Sequence, residues 1–269
     1  MRTKCTALVW LIVLGLVAWP VAHAESSYIA ANFSARCSNC WPEWNELLRP
    51  LRGVGPRVQN GLAFLFVNGS FDDPTLNQAH LHFSRADRAT EVVAEFQFNN
   101  ATIGGRLLLT NGNFYCLPQS YLLAFVTDEL FILTLRDDGL NWYGAFLGDL
   151  TLLDPEFAPW PERAESYTTI GLLEKSEREF HVLALAVIPQ ITRFSPIRLR
   201  LTIADTPTGP QLLAVYRFAS GRSIELSHPL DPTAVRPSGR AGIVYMVGNG
   251  SPCTNLVQRE IALRSFLVR

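Results

Sequence analysis

Apolar and polar residues alternate with a period of two along most of this chain. In residues 79–83, Leu81 and Phe83 fall on one face and His80 and His82 on the other. From 91 to 99 the same rhythm sets Val92, Ala94, Phe96 and Phe98 against Glu91, Glu95 and Gln97. Successive side chains of an extended chain point to opposite sides, so the pattern predicts half-buried antiparallel strands. Comparable stretches predict strands at 61–71, 106–110, 121–127, 130–136, 142–146, 168–173 and 179–188. The series continues at 198–203, 212–218, 223–227, 241–247 and 260–268. Asn68-Gly69, Asn111-Gly112, Asp138-Gly139, Thr208-Gly209-Pro210 and Asn249-Gly250 supply turn chemistry between strands. Helix is expected only at 42–51, for a turn or two, and 154–164, with three prolines and Trp160, reads as a long loop between two sheet-forming halves. Many short strands with such turns predict an all-β fold, a two-sheet antiparallel sandwich. No repeat or low-complexity linker divides residues 25–269, so a single domain is expected there.

The second half adds a resemblance. A strand with a Phe180-His181 pair near its start is followed by a hairpin from Arg198 to Ile203 and Leu212 to Tyr216. Ser223–Leu226 comes next, and then Ser238-Gly-Arg-Ala-Gly-Ile-Val-Tyr245 has an S-G-x-x-G-Φ strand start. This order over residues 180–269 resembles concanavalin A-like and LamG-type jelly rolls. The resemblance implies a jelly-roll sandwich whose last strand, 261–268, pairs with an N-terminal strand near 28–33. That fold hosts lectins, adhesion modules and glycoside hydrolases, and fold alone does not choose among them.

The N-terminus changes the picture of location. Arg2 and Lys4 precede an apolar run from Ala7 to Ala18, and Ala22-His23-Ala24 has small residues at −3 and −1 of a cleavage site. Residues 1–24 therefore read as a secretory signal peptide cleaved near Ala24, and the mature chain is expected to be secreted with no membrane span. Removing Arg2 and Lys4 from 23 basic residues against 24 acidic ones leaves a net charge of about −3. A surface of that sign argues against nucleic acid as a partner. Export also makes Cys37, Cys40, Cys116 and Cys253 an expected set of two disulfides, with three connectivities open. Sequons at Asn32, Asn68, Asn100 and Asn249 are expected on solvent-facing turns if the host glycosylates.

Candidate chemistry is sparse. Glycosidases need two carboxyls about 5–9 Å apart. Acids at i and i+2 of one strand meet that spacing, which singles out Glu177 and Glu179 with His181. The plainer reading is a charged turn and a solvated strand end. His80-x-His82 offers two imidazoles on one face, but Asp87 stands where a metal-binding H-x-H-x(3,4)-E pattern wants Glu. An exposed polar face is expected there, with no metal and no cofactor. Asp137, Asp138, Asn141, Trp142 and Tyr143 crowd one hairpin, and Trp160 lies in the Pro-rich loop. Aromatic faces with polar groups at their rim suit sugar rings, so these residues form the expected ligand site, against a reading of Trp142 as core. Arg193, Arg198, Arg200, Arg217 and Arg222 supply a rival basic surface. The expected function is a secreted, non-catalytic binding module for a glycan, with a glycoside hydrolase or lyase using Glu177 and Glu179, or an extracellular protein-binding role, as alternatives.

Overall fold

A computed structural model describes residues 29–32, 48–52, 57–59, 62–70, 77–83, 88–110, 113–122, 129–153, 167–233, 235–248 and 256–269. The strands are β1 (Ile29–Asn32), β2 (Leu48–Arg52), β3 (Arg57–Gln59), β4 (Leu62–Ser70), β5 (Gln78–Phe83), β6 (Glu91–Thr110), β7 (Asn113–Leu122) and β8 (Glu129–Asp137). They continue as β9 (Trp142–Gly148), β10 (Tyr167–Ser176), β11 (Glu179–Pro189), β12 (Ile197–Thr206), β13 (Gly209–Phe218), β14 (Ser223–Pro229), β15 (Arg240–Val247) and β16 (Leu256–Val268). Among the described residues no helix is long and apolar enough to cross a membrane.

The strands form two antiparallel sheets. One runs β14-β13-β12-β6-β16-β4-β3, with β1 on β16 and β7 on β6; the other runs β11-β10-β9-β8-β15-β5-β2. The expected closure is present, with Ile29 opposite Val268 and Asn32 opposite Ser265. Each sheet takes strands from both sides of the 154–164 stretch, so the chain is not two sheet-forming halves. Of the 42–51 segment expected to be helical, 42–47 lie outside the described residues and 48–51 belong to β2, where Pro50 sits opposite Leu81. Proline cannot donate to a ladder, and β2 is an edge strand, the place where a sheet tolerates it. Asn68-Gly69 is not a turn either but lies inside β4, opposite Gln258 and Val257. The Asp138-Gly139 and Thr208-Gly209 turns are as expected, with φ of 97° at Gly139 and 115° at Gly209.

Alternation fills the space between the sheets. Phe83 stacks on Phe266 and Phe96 meets Phe131 at a 33° tilt across the two layers, both with ring centroids 4.0 Å apart. Such pairs add about 0.5–1.5 kcal/mol beyond the area they bury. Tyr216 of β13 reaches through this interior. Its hydroxyl lies 2.7 Å from the Gly171 carbonyl and 2.9 Å from the Phe146 carbonyl, and accepts the Gly171 N–H at 3.2 Å. A buried ionic group also spans the layers. Glu129 accepts from Arg193, lies 3.3 Å from Arg259 Nε, and accepts the Tyr245 hydroxyl at 2.7 Å.

The seven-stranded sheet is covered on its outer face as well. Leu130, Ile132, Trp142, Phe146, Leu173 and Val244 form a second apolar cluster there. Gly148, at φ 133°, turns the chain out of β9; a Cβ on it would stand 2.0 Å from the Glu129 carbonyl oxygen. A 3-10 turn, Leu150–Leu152, follows and lays Leu150 on the cluster.

Candidate functional site

A backbone irregularity builds the most distinctive polar group. Along β8, Leu133 and Leu135 face the interior, and Thr134 faces out. Strict alternation would send Asp137 inward. Arg136 instead adopts φ 54°, and the β8–β15 register shifts, from Gly242 opposite Thr134 to Arg240 opposite Asp137. One extra residue in a strand re-aims the side chains beyond it. Asp137 thus joins Thr134 on the outer face, where it accepts the threonine hydroxyl at 2.8 Å and the Gly139 N–H at 2.8 Å.

Two imidazoles meet that carboxylate. His82 of β5 lies opposite Gly242 of β15, which lies opposite Thr134 of β8, so the three form a row across adjacent strands. Gly242 leaves the row open: a Cβ there would stand 2.8 Å from Thr134 Oγ1 and 3.0 Å from His82 Cδ2. His80 Nε2 lies 2.8 Å from Asp137 Oδ2, and His82 Nε2 lies 2.9 Å from Asp137 Oδ1. The rings stand edge-to-face with centroids 4.7 Å apart. Burial alone would raise the Asp137 pKa, but the two imidazoles against it and the hydrogen bond from His80 hold it far below the usual carboxylate range. The expectation of an exposed polar face fails, because His80 and His82 are 9% and 3% exposed.

The hairpin residues separate by depth. Trp142 is 2% exposed within the outer apolar cluster, and Tyr143, equally buried, belongs to the main core. Neither ring offers a face to a sugar, which corrects the expected stacking site, and Asp137 is buried with them. Trp160 lies outside the described residues. Asp138 and Asn141 remain accessible. Asp138 Oδ1 accepts the N–H groups of Leu140 and Asn141 at 2.8 and 2.7 Å, closing the turn.

The carboxylate pair is corrected too. Glu177 sits in the β10–β11 turn at φ 53° rather than on the face shared by Glu179 and His181. Glu179 and His181 are exposed at the start of edge strand β11, 3.6 Å apart. What the structure does bring together is the two turns: Asn141 Oδ1 accepts the Glu177 N–H at 2.8 Å, and Lys175 Nζ donates to the Leu140 and Glu177 carbonyls. Beside them Arg236 binds Glu174 at 2.9 Å and lies 4.7 Å from the centre of the Tyr143 ring.

Of the basic surface, Arg198, Arg200, Arg217 and Arg222 are exposed, and Arg200 pairs with Glu91 at 3.2 Å. Arg193 is removed from that surface by its buried contact with Glu129. Cys37, Cys40 and Cys253 lie outside the described residues, and of Cys116 only its place in β7 is described. The sequon asparagines Asn32, Asn68 and Asn100 lie within β1, β4 and β6 rather than on turns, and Asn249 is outside the described residues.

No protein-family model and no curated protein matches the chain. Solved structures do match it in shape. Alginate lyase Aly36B aligns with a TM-score of 0.50 at 8% identity, over 90% of this chain and 96% of its own. Peanut lectin with a 9-residue peptide aligns at 0.49 and 9% identity, over 90% and 97%. Crh5 transglycosylase in complex with NAG aligns at 0.48 and 8%, over 91% and 84%. The chain shares the fold of these structures, a two-sheet antiparallel jelly-roll sandwich. At such identities the likeness concerns fold alone.

Proposed function

We propose that this chain is an exported, non-catalytic module that binds a glycan at the end of the sandwich where the β8–β9 and β10–β11 turns meet. The observation that carries the proposal is the clasp between Asn141 and the Glu177 N–H, which sets two polar turns side by side at the surface. Leu140, 63% exposed at the tip, gives an apolar patch for the C–H face of a sugar. The carboxylates of Asp138 and Glu177 stand on exposed residues beside it as acceptors for hydroxyls. Apolar cover on the outer face of the seven-stranded sheet favours these turns over the middle of that sheet. Catalysis by Glu177 and Glu179 gains no support from their separate placement on a turn and a strand end.

A second reading has its own observation. Leu185 and Val187 are exposed on β11, an edge strand, and an apolar edge is a surface for pairing with another protein. A glycan array probed with the purified chain separates the two. Binding that is lost in Leu140→Asp and Glu177→Ala, with unchanged circular dichroism, supports the turn site. A blank array overturns it, and capture of one protein that Leu185→Lys abolishes then supports the edge.

A further inference from the structure

We infer that His80, His82 and Asp137 form a binding site for one divalent transition-metal ion of the zinc class. Their donor atoms all lie within 4.8 Å of one another. Two imidazole nitrogens and a carboxylate oxygen are a borderline donor set, which suits zinc and its first-row neighbours rather than calcium or magnesium. The site does not depend on the glycan reading.

Three features argue for an ion rather than a cluster of hydrogen bonds alone. His82 Nε2 is only 2.9 Å from Asp137 Oδ1, yet it is misaligned for a hydrogen bond and has no other partner among the described residues. A buried polar nitrogen left in that condition is destabilising, whereas an ion between the three groups would satisfy it. Secondly, both histidines present the same atom, Nε2, to opposite oxygens of one carboxylate, so both rings converge on one point from β5. With metal–ligand bonds of about 2.0–2.2 Å, tetrahedral donors stand roughly 3.4 Å apart, so the imidazoles need only draw back from the carboxylate by about half an ångström to admit the ion. Thirdly, the carboxylate is oriented by groups that are not ligands in this set, the Thr134 hydroxyl and the Gly139 N–H. Outer partners of this kind are what fix a metal-binding carboxylate in place. The bulge at Arg136 and the bare Cα of Gly242 exist at this spot and make room for the group. The remaining coordination position falls to a water entering past His80, whose side chain is 11% exposed.

The test uses the full chain, dialysed into metal-free buffer after exposure to zinc, with metal counted by mass spectrometry. One zinc per chain is expected, falling by at least about fivefold in His82→Ala and in His80→Gln, since a ligand is removed from a three-ligand site. Chelator should lower the melting temperature of the parent protein and leave that of the variants unchanged. Cobalt substitution should give visible ligand-field bands without the intense near-ultraviolet band of a cobalt–thiolate bond. A parent protein that holds no zinc, shows no cobalt bands and melts alike with and without chelator overturns the inference. So does zinc that persists in both variants or a cobalt–thiolate band, either of which would assign the ion to the cysteines. Because the zinc count and the cobalt spectrum are read on the parent protein, failure of a variant to fold does not blunt the test.

Discussion

Gly239 lies so close to Arg136 that a Cβ on it would stand 2.3 Å from the Arg136 carbonyl carbon. The two residues interlock, one at φ 141° and the other at φ 54°, where β15 begins and β8 bulges. Gly239→Ala would meet both a backbone clash and a conformation that side chains avoid. A loss of about 2–4 kcal/mol is expected, read as a lower midpoint in urea. Unchanged stability would mean that the bulge is not held by this contact.

Trp142→Ala should destabilise the fold rather than act on a ligand. The indole covers Gly144, whose added Cβ would lie 2.7 Å from its ring, and it packs against Phe180 at 6.0 Å between centroids. Truncating a buried indole costs about 3–5 kcal/mol, and Trp142→Phe should recover part of that. Chemical denaturation of both variants checks the order.

Removing the carboxylate of Glu129 leaves Arg193 and Arg259 without the group they share in the interior. Glu129→Gln should therefore cost about 3–5 kcal/mol, the range for breaking a buried pair by deleting one partner. Glu129→Gln combined with Arg193→Met should be less damaging than the sum of the single changes, as a double-mutant cycle would show.

Alkaline pH should unfold the protein through its buried phenols. Burial raises the pKa of Tyr216, and burial together with the Glu129 charge raises that of Tyr245, both above their ordinary value of 10.0. Below about pH 10 neither state ionises and their contribution is intact. As pH rises beyond that, the unfolded chain releases protons that the native one retains, so stability falls. Tyrosinate absorbance for these two should appear only as the circular dichroism signal collapses. Ionisation of every tyrosine near pH 10 in a folded protein would refute this.

Much of this architecture was legible from alternation, because inner faces such as Val92, Ala94, Phe96 and Phe98 follow directly from a two-residue period. The pairing of the first and last strands came through the resemblance, on the order of strands and glycines. Alternation says which residues share a face, and it does not say whether that face is covered. The pattern therefore sets His80 and His82 on one face, and only the packing shows that this face is buried. A signal lies in β8, where Leu130-Phe131-Ile132-Leu133 is apolar without alternation, as a strand covered on both sides reads. The Arg136 bulge had no such signal, since an arginine at positive φ is a choice made by tertiary packing against Gly239. Without that bulge, alternation leaves Asp137 with the hairpin residues and gives no link to the histidines.

The phenol of Tyr216 has a mechanical consequence. It joins one layer to a single point in the other, at the Gly171 and Phe146 carbonyls, which face each other across β9 and β10. Sliding one layer over the other would tear that junction out of a dry interior, while tilting about it would keep it intact. Slow breathing of this sandwich should therefore pivot around Tyr216, opening widest at the margins farthest from it.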